Sequence, residues 1–152
     1  QRCPALNAWY WPTWCAPHNL MQVLLLLLKE VRGRLLERNP YRREPLQLRD
    51  GVWIALDWVD ADPVPMGGPD LPVCVLLHGA FMDSSSVTMS DMARTLAARG
   101  FPSVVMNRRG YGGISLDGAA SARVSFYGFD EDLDDVLEAV ARREPGRAVA
   151  VI

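Results

Sequence analysis

The sequence predicts an α/β fold in which an antiparallel entry hairpin leads into parallel strands joined by crossover helices. Three observations carry that reading. The run Val73-Cys74-Val75-Leu76-Leu77 is β-branched and aliphatic and stops abruptly at His78-Gly79, as a strand buried on both faces does. Two more apolar runs, 101–106 and 148–152, follow it, each preceded by an amphipathic helical pattern, and a strand, a helix and a strand in so short a span make a right-handed parallel crossover. Upstream, Asp50-Gly51 joins two alternating segments, which is a strong hairpin signal because glycine accepts the positive φ that tight turns require.

The totals fit one ordinary globular domain. At 152 residues the chain is long enough for a single sizeable core, and a net charge of −2 gives no reason to expect nucleic acid as a partner. The three cysteines (Cys3, Cys15 and Cys74) are odd in number, far apart and without a C-x-x-C pair. They argue against a disulfide framework and against a zinc site, with a reducing compartment as the default. Cys74 lies inside the apolar run as a small hydrophobe. The chain starts at Gln1 and stops inside the run Val149-Ala150-Val151-Ile152. Natural domains rarely end within a core strand, so the expectation is a fragment at both ends.

In chain order, residues 1–19 are rich in tryptophan and proline (Trp9, Trp11, Pro12, Trp14, Pro17), which breaks both helix and strand. These aromatics need a surface to lie on, either the domain itself or a membrane interface. Residues 20–38 read as a helix. Val23 to Leu28 are apolar all round, but Lys29, Glu30, Arg32 and Arg34 end the run far short of the roughly 20 residues a membrane span needs. No basic region precedes the run and no small-residue cleavage site follows, so it does not read as a signal peptide. With Leu24, Leu28, Val31 and Leu35 at helical spacing, a docked or interfacial helix is expected, ended by Asn39-Pro40. The organisation is therefore a 1–40 segment followed by a 41–152 domain.

The hairpin strands are expected at 45–49 and 52–58, with Val52, Ile54, Leu56 and Trp58 on one face and the pair forming one edge of the sheet. Residues 60–72, with four prolines and Gly67-Gly68, make a loop. After His78-Gly79, Met89, Met92, Ala93, Leu96 and Ala97 form one helix face, capped by one of the nearby serines and stopped by Gly100. A strand at 101–106 ends in the turn Asn107-Arg108-Arg109-Gly110-Tyr111-Gly112-Gly113. A loose segment, 116–125, then leads to a helix over 129–143 with Leu133, Val136, Leu137 and Val140 as its apolar stripe.

Several patterns resemble chemistry without supporting it. Gly113-Ile114-Ser115-Leu116-Asp117 approaches G-x-S-x-G, but the last glycine is missing and no hydrophobic strand leads into it. Gly110-x-Gly112-Gly113 fits neither dinucleotide nor P-loop spacing, and no lysine is near. The acidic run 130–135 reads as a solvated helix start matched to the helix dipole rather than a metal site. His18 and His78 are the two histidines, and neither has an acid and a nucleophile nearby, so His78 reads as structural, its ring bonded near the turn. No cofactor and no metal are implied. The glycine at position 79 is expected to let the chain turn sharply into the crevice where open α/β sheets bind ligands.

Taken as an ordered set, these residues resemble the α/β-hydrolase superfamily, in particular its abhydrolase-domain esterases, lipases and phospholipase-like proteins with an N-terminal membrane-associating segment. Tyr41-Arg42-Arg43-Glu44, Asp50-Gly51 and Leu56-Asp57-Trp58 are similar to that subgroup's entry hairpin, and Leu76-Leu77-His78-Gly79 to its oxyanion strand. Asn107-Arg108-Arg109-Gly110 with Gly112 is similar to its N-x-R-G-x-G turn, and Glu131-Asp132-Leu133 through Val136, then Pro145, to the helix before the nucleophile strand. The likeness runs from about Trp9 to Ile152. It departs at Ala80-Phe81-Met82-Asp83, where small polar residues and another glycine are usual, and over 119–127.

The resemblance implies an incomplete α/β-hydrolase fold and a serine hydrolase that cleaves carboxylic esters, with lipid-like esters as substrates. It implies a protein that is cytoplasmic or peripheral to a membrane surface. One oxyanion donor would be the backbone N–H of Ala80, supported by His78 and Gly79, with Arg109, Gly110 and Gly112 as a structural turn. The short Ala80 side chain would leave room for an acyl group. The catalytic triad is expected beyond Ile152, so residues 1–152 alone should not hydrolyse esters. The alternative is a non-catalytic, truncated hydrolase-like protein that works as a binding module.

Overall fold

A computed structural model describes residues 18–36, 40–60, 71–80, 82–116 and 130–152. The expectations for the tryptophan-rich stretch 1–17, for most of the proline-rich loop (61–70) and for the segment 117–129 lie outside these residues. The chain divides into two compact units, Gln1–Glu37 and Arg38–Ile152.

The first unit contributes helix α1 (Asn19–Leu36). Leu20, Met21, Val31 and all of Val23 to Leu28 are solvent-exposed. Six consecutive exposed apolar residues cover every side of a helix with 3.6 residues per turn, so α1 is apolar all round over this stretch rather than along a stripe. Among the described residues, no helix is long and apolar enough to cross a membrane.

The second unit is a mixed five-stranded sheet with helices. Its elements are β1 (Arg42–Gln47), β2 (Trp53–Val59), β3 (Val73–Leu77), α2 (Val87–Ala97), β4 (Ser103–Asn107), α3 (Asp130–Arg143) and β5 (Val149–Val151), in the spatial order β1-β2-β4-β3-β5. β1 pairs antiparallel with β2, and β2 with β4, whereas β3 runs parallel to both β4 and β5. The hairpin therefore forms one edge, as its Asp-Gly signal predicted.

Two cores sandwich the sheet. Val52, Ile54, Leu56 and Trp58 pack with Val73, Val75, Val104 and Met106 against Val136 and Val140 of α3. Val59, Cys74, Leu76 and Val105 pack on the opposite side against Met89, Ala93 and Ala97 of α2. β2 is thus buried on both faces from Ile54 onward. The alternation that places its even-numbered residues on one face puts Asp57 on the other, where it is 0 % exposed. α2 starts at Ser86, whose hydroxyl accepts the Met89 N–H, and Gly100 at φ +85° stops it.

The first strand corrects the sequence expectation of 45–49. It begins at Arg42 because the polar run Arg42-Arg43-Glu44 pairs with Trp58, Asp57 and Leu56. An exposed edge strand has no apolar alternation to betray it. The hairpin loop is three residues long: Leu48 N–H donates to the Val52 carbonyl, Gly51 N–H to the Leu48 carbonyl, and Gly51 takes φ +87°.

The topology has one reversal. From β3 the chain crosses to β4 on one side, then returns past β3 to β5 on the other. Where strand order reverses in this way, the loops leave a crevice at the carboxyl ends of the strands. Here strand order reverses between β3 and β5, and His78 and Gly79 follow the carboxyl end of β3. The ladder is formed right up to that end, with Leu77 N–H donating to the Ile152 carbonyl and Ile152 N–H to the Val75 carbonyl, both at 2.9 Å.

Candidate functional site

The stretch after β3 is held at both ends by residues that leave β4. At the near end, His78 is 3 % exposed. The Arg108 backbone N–H donates to its Nε2 at 3.2 Å, so the ring proton sits on Nδ1 and is donated to the Gly79 carbonyl at 2.9 Å. The Arg108 guanidinium approaches Nδ1 at 3.2 Å, but its acceptor is the His78 carbonyl. Tyr111 packs on the imidazole with ring centres 5.1 Å apart. With both nitrogens engaged, His78 has no lone pair for a general base. Its role is structural.

Burial and the neighbouring Arg108 charge hold the His78 pKa below the usual histidine range, against the opposing pull of the Gly79 carbonyl and Asp83. The folded protein therefore takes up this proton at lower pH than the unfolded chain does. The stability from neutral His78 is fully present above about pH 6.5 and is lost as pH falls from there through the folded pKa, with a slope of at most about 1.4 kcal/mol per pH unit. Urea unfolding at pH 7.5, 6.5 and 5.5 should show this decline in the wild type and a shallower one in His78→Gln. Parallel declines would contradict the assignment.

At the far end, the site is built on Asp57. Arg43 donates to it twice, from Nε to Oδ1 and from Nη2 to Oδ2, both at 2.7 Å. Asp57 Oδ2 also accepts the Ser84 hydroxyl at 2.5 Å and the Asn107 amide at 2.8 Å. Burial pushes the Asp57 carboxyl upward, but the bonds from Arg43 and Ser84, the Arg43 charge and the Asn107 bond outweigh it and leave the pKa below the usual carboxylate range. Asn107 in turn accepts the Ser84 N–H at 2.9 Å and donates to the Ala55 carbonyl at 3.2 Å. Gly112 lies against Asn107, and its carbonyl accepts from Arg43 Nη1 at 2.5 Å.

A second buried pair anchors the turn after β4. Arg109 donates from Nε and Nη2 to Asp132 at 2.7 and 2.6 Å, and from Nη1 to Asp50 at 2.5 Å. One guanidinium thus ties the β4 turn to the start of α3 and to the hairpin loop. This corrects the reading of the acidic run as a solvated helix start: Asp132 is 2 % exposed and faces Arg109, and Asp135 accepts from Arg49. Asp130, Glu131 and Asp134 remain exposed or half-exposed, as expected. Among the described residues, no group of acidic, histidine or cysteine side chains could hold a metal ion.

Of the residues singled out in the sequence, Ala80 is exposed at the carboxyl end of β3, and His78 and Gly79 precede it there. Arg109, Gly110 and Gly112 sit in the β4 turn, both glycines at positive φ (+76° and +68°). Gly79 corrects another expectation. Its φ is not positive, and an added Cβ would meet Met82 Sδ at an ordinary 3.5 Å, so the backbone turn does not demand glycine there. Ser115 is exposed, eight residues after β4 ends, without a strand leading into it. Sequence reasoning missed Arg43, Asp57 and Ser84 as one group. The available signal was the lone charge inside an otherwise apolar strand, Asp57 between Leu56 and Trp58.

No family model matches the chain. Among solved structures it is similar to an alpha-beta serine hydrolase homologue from Coxiella burnetii, with TM-score 0.52 and 16 % identity over 72 % of this chain and 50 % of that one. A lidless α/β serine hydrolase from Xanthomonas campestris gives TM-score 0.52 and 18 % identity over 76 % of this chain and 51 % of that one. Brefeldin A esterase, a bacterial homologue of human hormone sensitive lipase, gives TM-score 0.54 and 17 % identity over 92 % of this chain and 41 % of that one. The second unit is thus a partial α/β-hydrolase fold, and the chain spans about half the length of the solved structures it matches.

Proposed function

We propose that the whole protein is a serine hydrolase of carboxylic esters, and that this chain supplies one half of its oxyanion hole through the Ala80 N–H. The observation that supports the proposal is the reversal of strand order at β3, with Ala80 exposed just past the carboxyl end of that strand, the neighbour of β5. In the proposed enzyme, the residues that follow β5 place a serine on a sharp turn, with the acid and histidine of its triad further along. The serine hydroxyl attacks the ester carbonyl while the histidine takes its proton, and the carbonyl oxygen becomes an oxyanion. Ala80 N–H and the N–H after the serine donate to that oxyanion, the alcohol leaves with the proton, and water releases the acid in a second round.

Lipid-like esters are the proposed substrates, with a membrane surface as the place of action. The all-round apolar stretch of α1 supports this, as does the likeness of the ordered motifs to the membrane-associating subgroup. The names of the solved neighbours, an esterase and two serine hydrolases, point to the same reaction class.

The test is to express the product of the coding sequence continued past Ile152 and treat it with a fluorophosphonate probe. Labelling of a G-x-S-x-G serine within a few residues of β5, abolished by replacing that serine with alanine, is expected. Residues 1–152 alone should give neither label nor turnover. A longer product that refuses the label, or that lacks such a serine, ends the proposal.

A further inference from the structure

Ser84 is four residues past Ala80, and it is 2 % exposed in the turn that leads into α2. Met82 N–H donates to the Gly79 carbonyl at 3.4 Å and Ser86 N–H to the Asp83 carbonyl at 3.1 Å. The grip on Ser84 itself is polar. Ser84 is gripped at two atoms, its N–H by Asn107 Oδ1 and its hydroxyl by Asp57 Oδ2. The amide of Asn107 is itself orientated by donating to Asp57 and to the Ala55 carbonyl, which leaves its oxygen facing Ser84. Asp57 and Asn107 are both fully buried, on neighbouring strands, and Arg43 neutralises the carboxylate from the edge strand.

A buried charged network is rarely the most stabilising way to fill such a space, since apolar residues of similar volume often do as well or better. What it provides is a fixed position. Reacting geometries need support to within about 0.5 Å, and that support comes from bonded neighbours of the working groups.

We infer that Asp57 and Asn107, acting through Ser84, are positioning residues that aim the Ala80 N–H into the crevice, a role that rests on the hydrolase reading above. His78 fixes the near end of the same stretch, so the donor hangs between two clamps that both close on the end of β4. None of the three side chains touches substrate. Their effect is on where one N–H points.

Ser84→Ala in the full-length protein removes the hydroxyl and leaves Arg43, Asn107 and Asp57 paired. Kinetics on an ester and on its thionoester, which turns a carbonyl oxygen into a poorer acceptor for the same N–H, separate positioning from folding. The expected result is a kcat about 10- to 100-fold lower on the ester, as for a misplaced catalytic group, with KM little changed. The oxygen-over-sulfur preference should shrink, and amide exchange over residues 79–86 should quicken while that of α2 stays the same. Arg43→Lys, which keeps a positive charge beside the fully buried Asp57 but loses the two-point bond, should give a smaller loss in the same direction, and it decides the matter if Ser84→Ala does not fold. A variant that exchanges faster but keeps kcat and the oxygen-over-sulfur preference makes the network merely structural and overturns the inference. A wild type that takes the fluorophosphonate label while both variants match it in kinetics and exchange overturns this inference alone. A wild type without label overturns the hydrolase reading and this one with it.

Discussion

Asp132→Asn is expected to lower the stability of the protein by about 3 kcal/mol, a large share of the roughly 5–15 kcal/mol available to a folded domain. The side chains of Arg109 and Asp132 are 5 % and 3 % exposed, and they meet through two parallel N–H···O bonds. The attraction between such charges is offset by the cost of taking both out of water, so the intact pair adds little net stability. Removing one partner is different, because the other keeps its buried charge without compensation. Arg109 stays charged at every accessible pH, since its bonds to Asp132 raise its pKa further. It cannot escape by losing a proton. Asp50 still reaches Nη1, which is why the expected loss sits at the low end of the range for broken buried pairs.

Urea unfolding of Asp132→Asn beside Asp134→Asn checks this. Asp134 is on the same turn of α3 and exposed, so its change should stay within about 0.5 kcal/mol. If both variants lose the same small amount, Arg109 is held by something other than Asp132. The pair also bears on the crevice, because the turn it anchors begins at Asn107 and Arg108, the residues that hold the stretch after β3.

The fold was legible where burial writes itself into composition. β3 announces itself through five apolar residues and α3 through its stripe, since a strand or helix face buried in the sheet has little freedom of residue type. β1 was less legible, because its burial is slight and its pairing is set by Arg43 reaching Asp57 across the hairpin. The site was legible only in part for the same reason. Its His-Gly turn is in the sequence, but its support is a set of contacts 14 to 69 residues apart along the chain. Polar partners at such separations leave no periodic trace. The acidic run misled because five of its six residues are carboxylates, three of them in the first turn, and nothing local marks Asp132 as the one that turns inward.

Gly112→Ala is expected to cost about 3 kcal/mol, whereas Gly113→Ala next to it should cost about half of that. Both glycines have positive φ, +68° and +79°, so a side chain at either carries the left-handed penalty of about 1–2 kcal/mol. They differ in what the new methyl meets. At Gly113 the nearest atom is Arg43 Nη1 at 3.9 Å, an ordinary contact with a movable group. At Gly112 it would lie 2.7 Å from Asn107 Cγ and 2.9 Å from Cβ and Oδ1, so something must shift. Asn107 is poorly able to shift, since its amide is bonded to Ala55, Asp57 and Ser84 at once. The extra loss therefore comes from forcing that amide away, and with it the grip on Ser84. Denaturant midpoints of the two variants give the first comparison, and equal losses would remove the steric argument. A double-mutant cycle with Asn107→Ala gives the second. Once the asparagine side chain is gone the methyl has room, so the double variant should lose less than the sum of the singles by about 1 kcal/mol or more, as neighbouring sites in contact do. Simple additivity would mean that Gly112 is needed for its φ alone, and that the close approach of the β4 turn to Asn107 has no part in holding the stretch that carries Ala80.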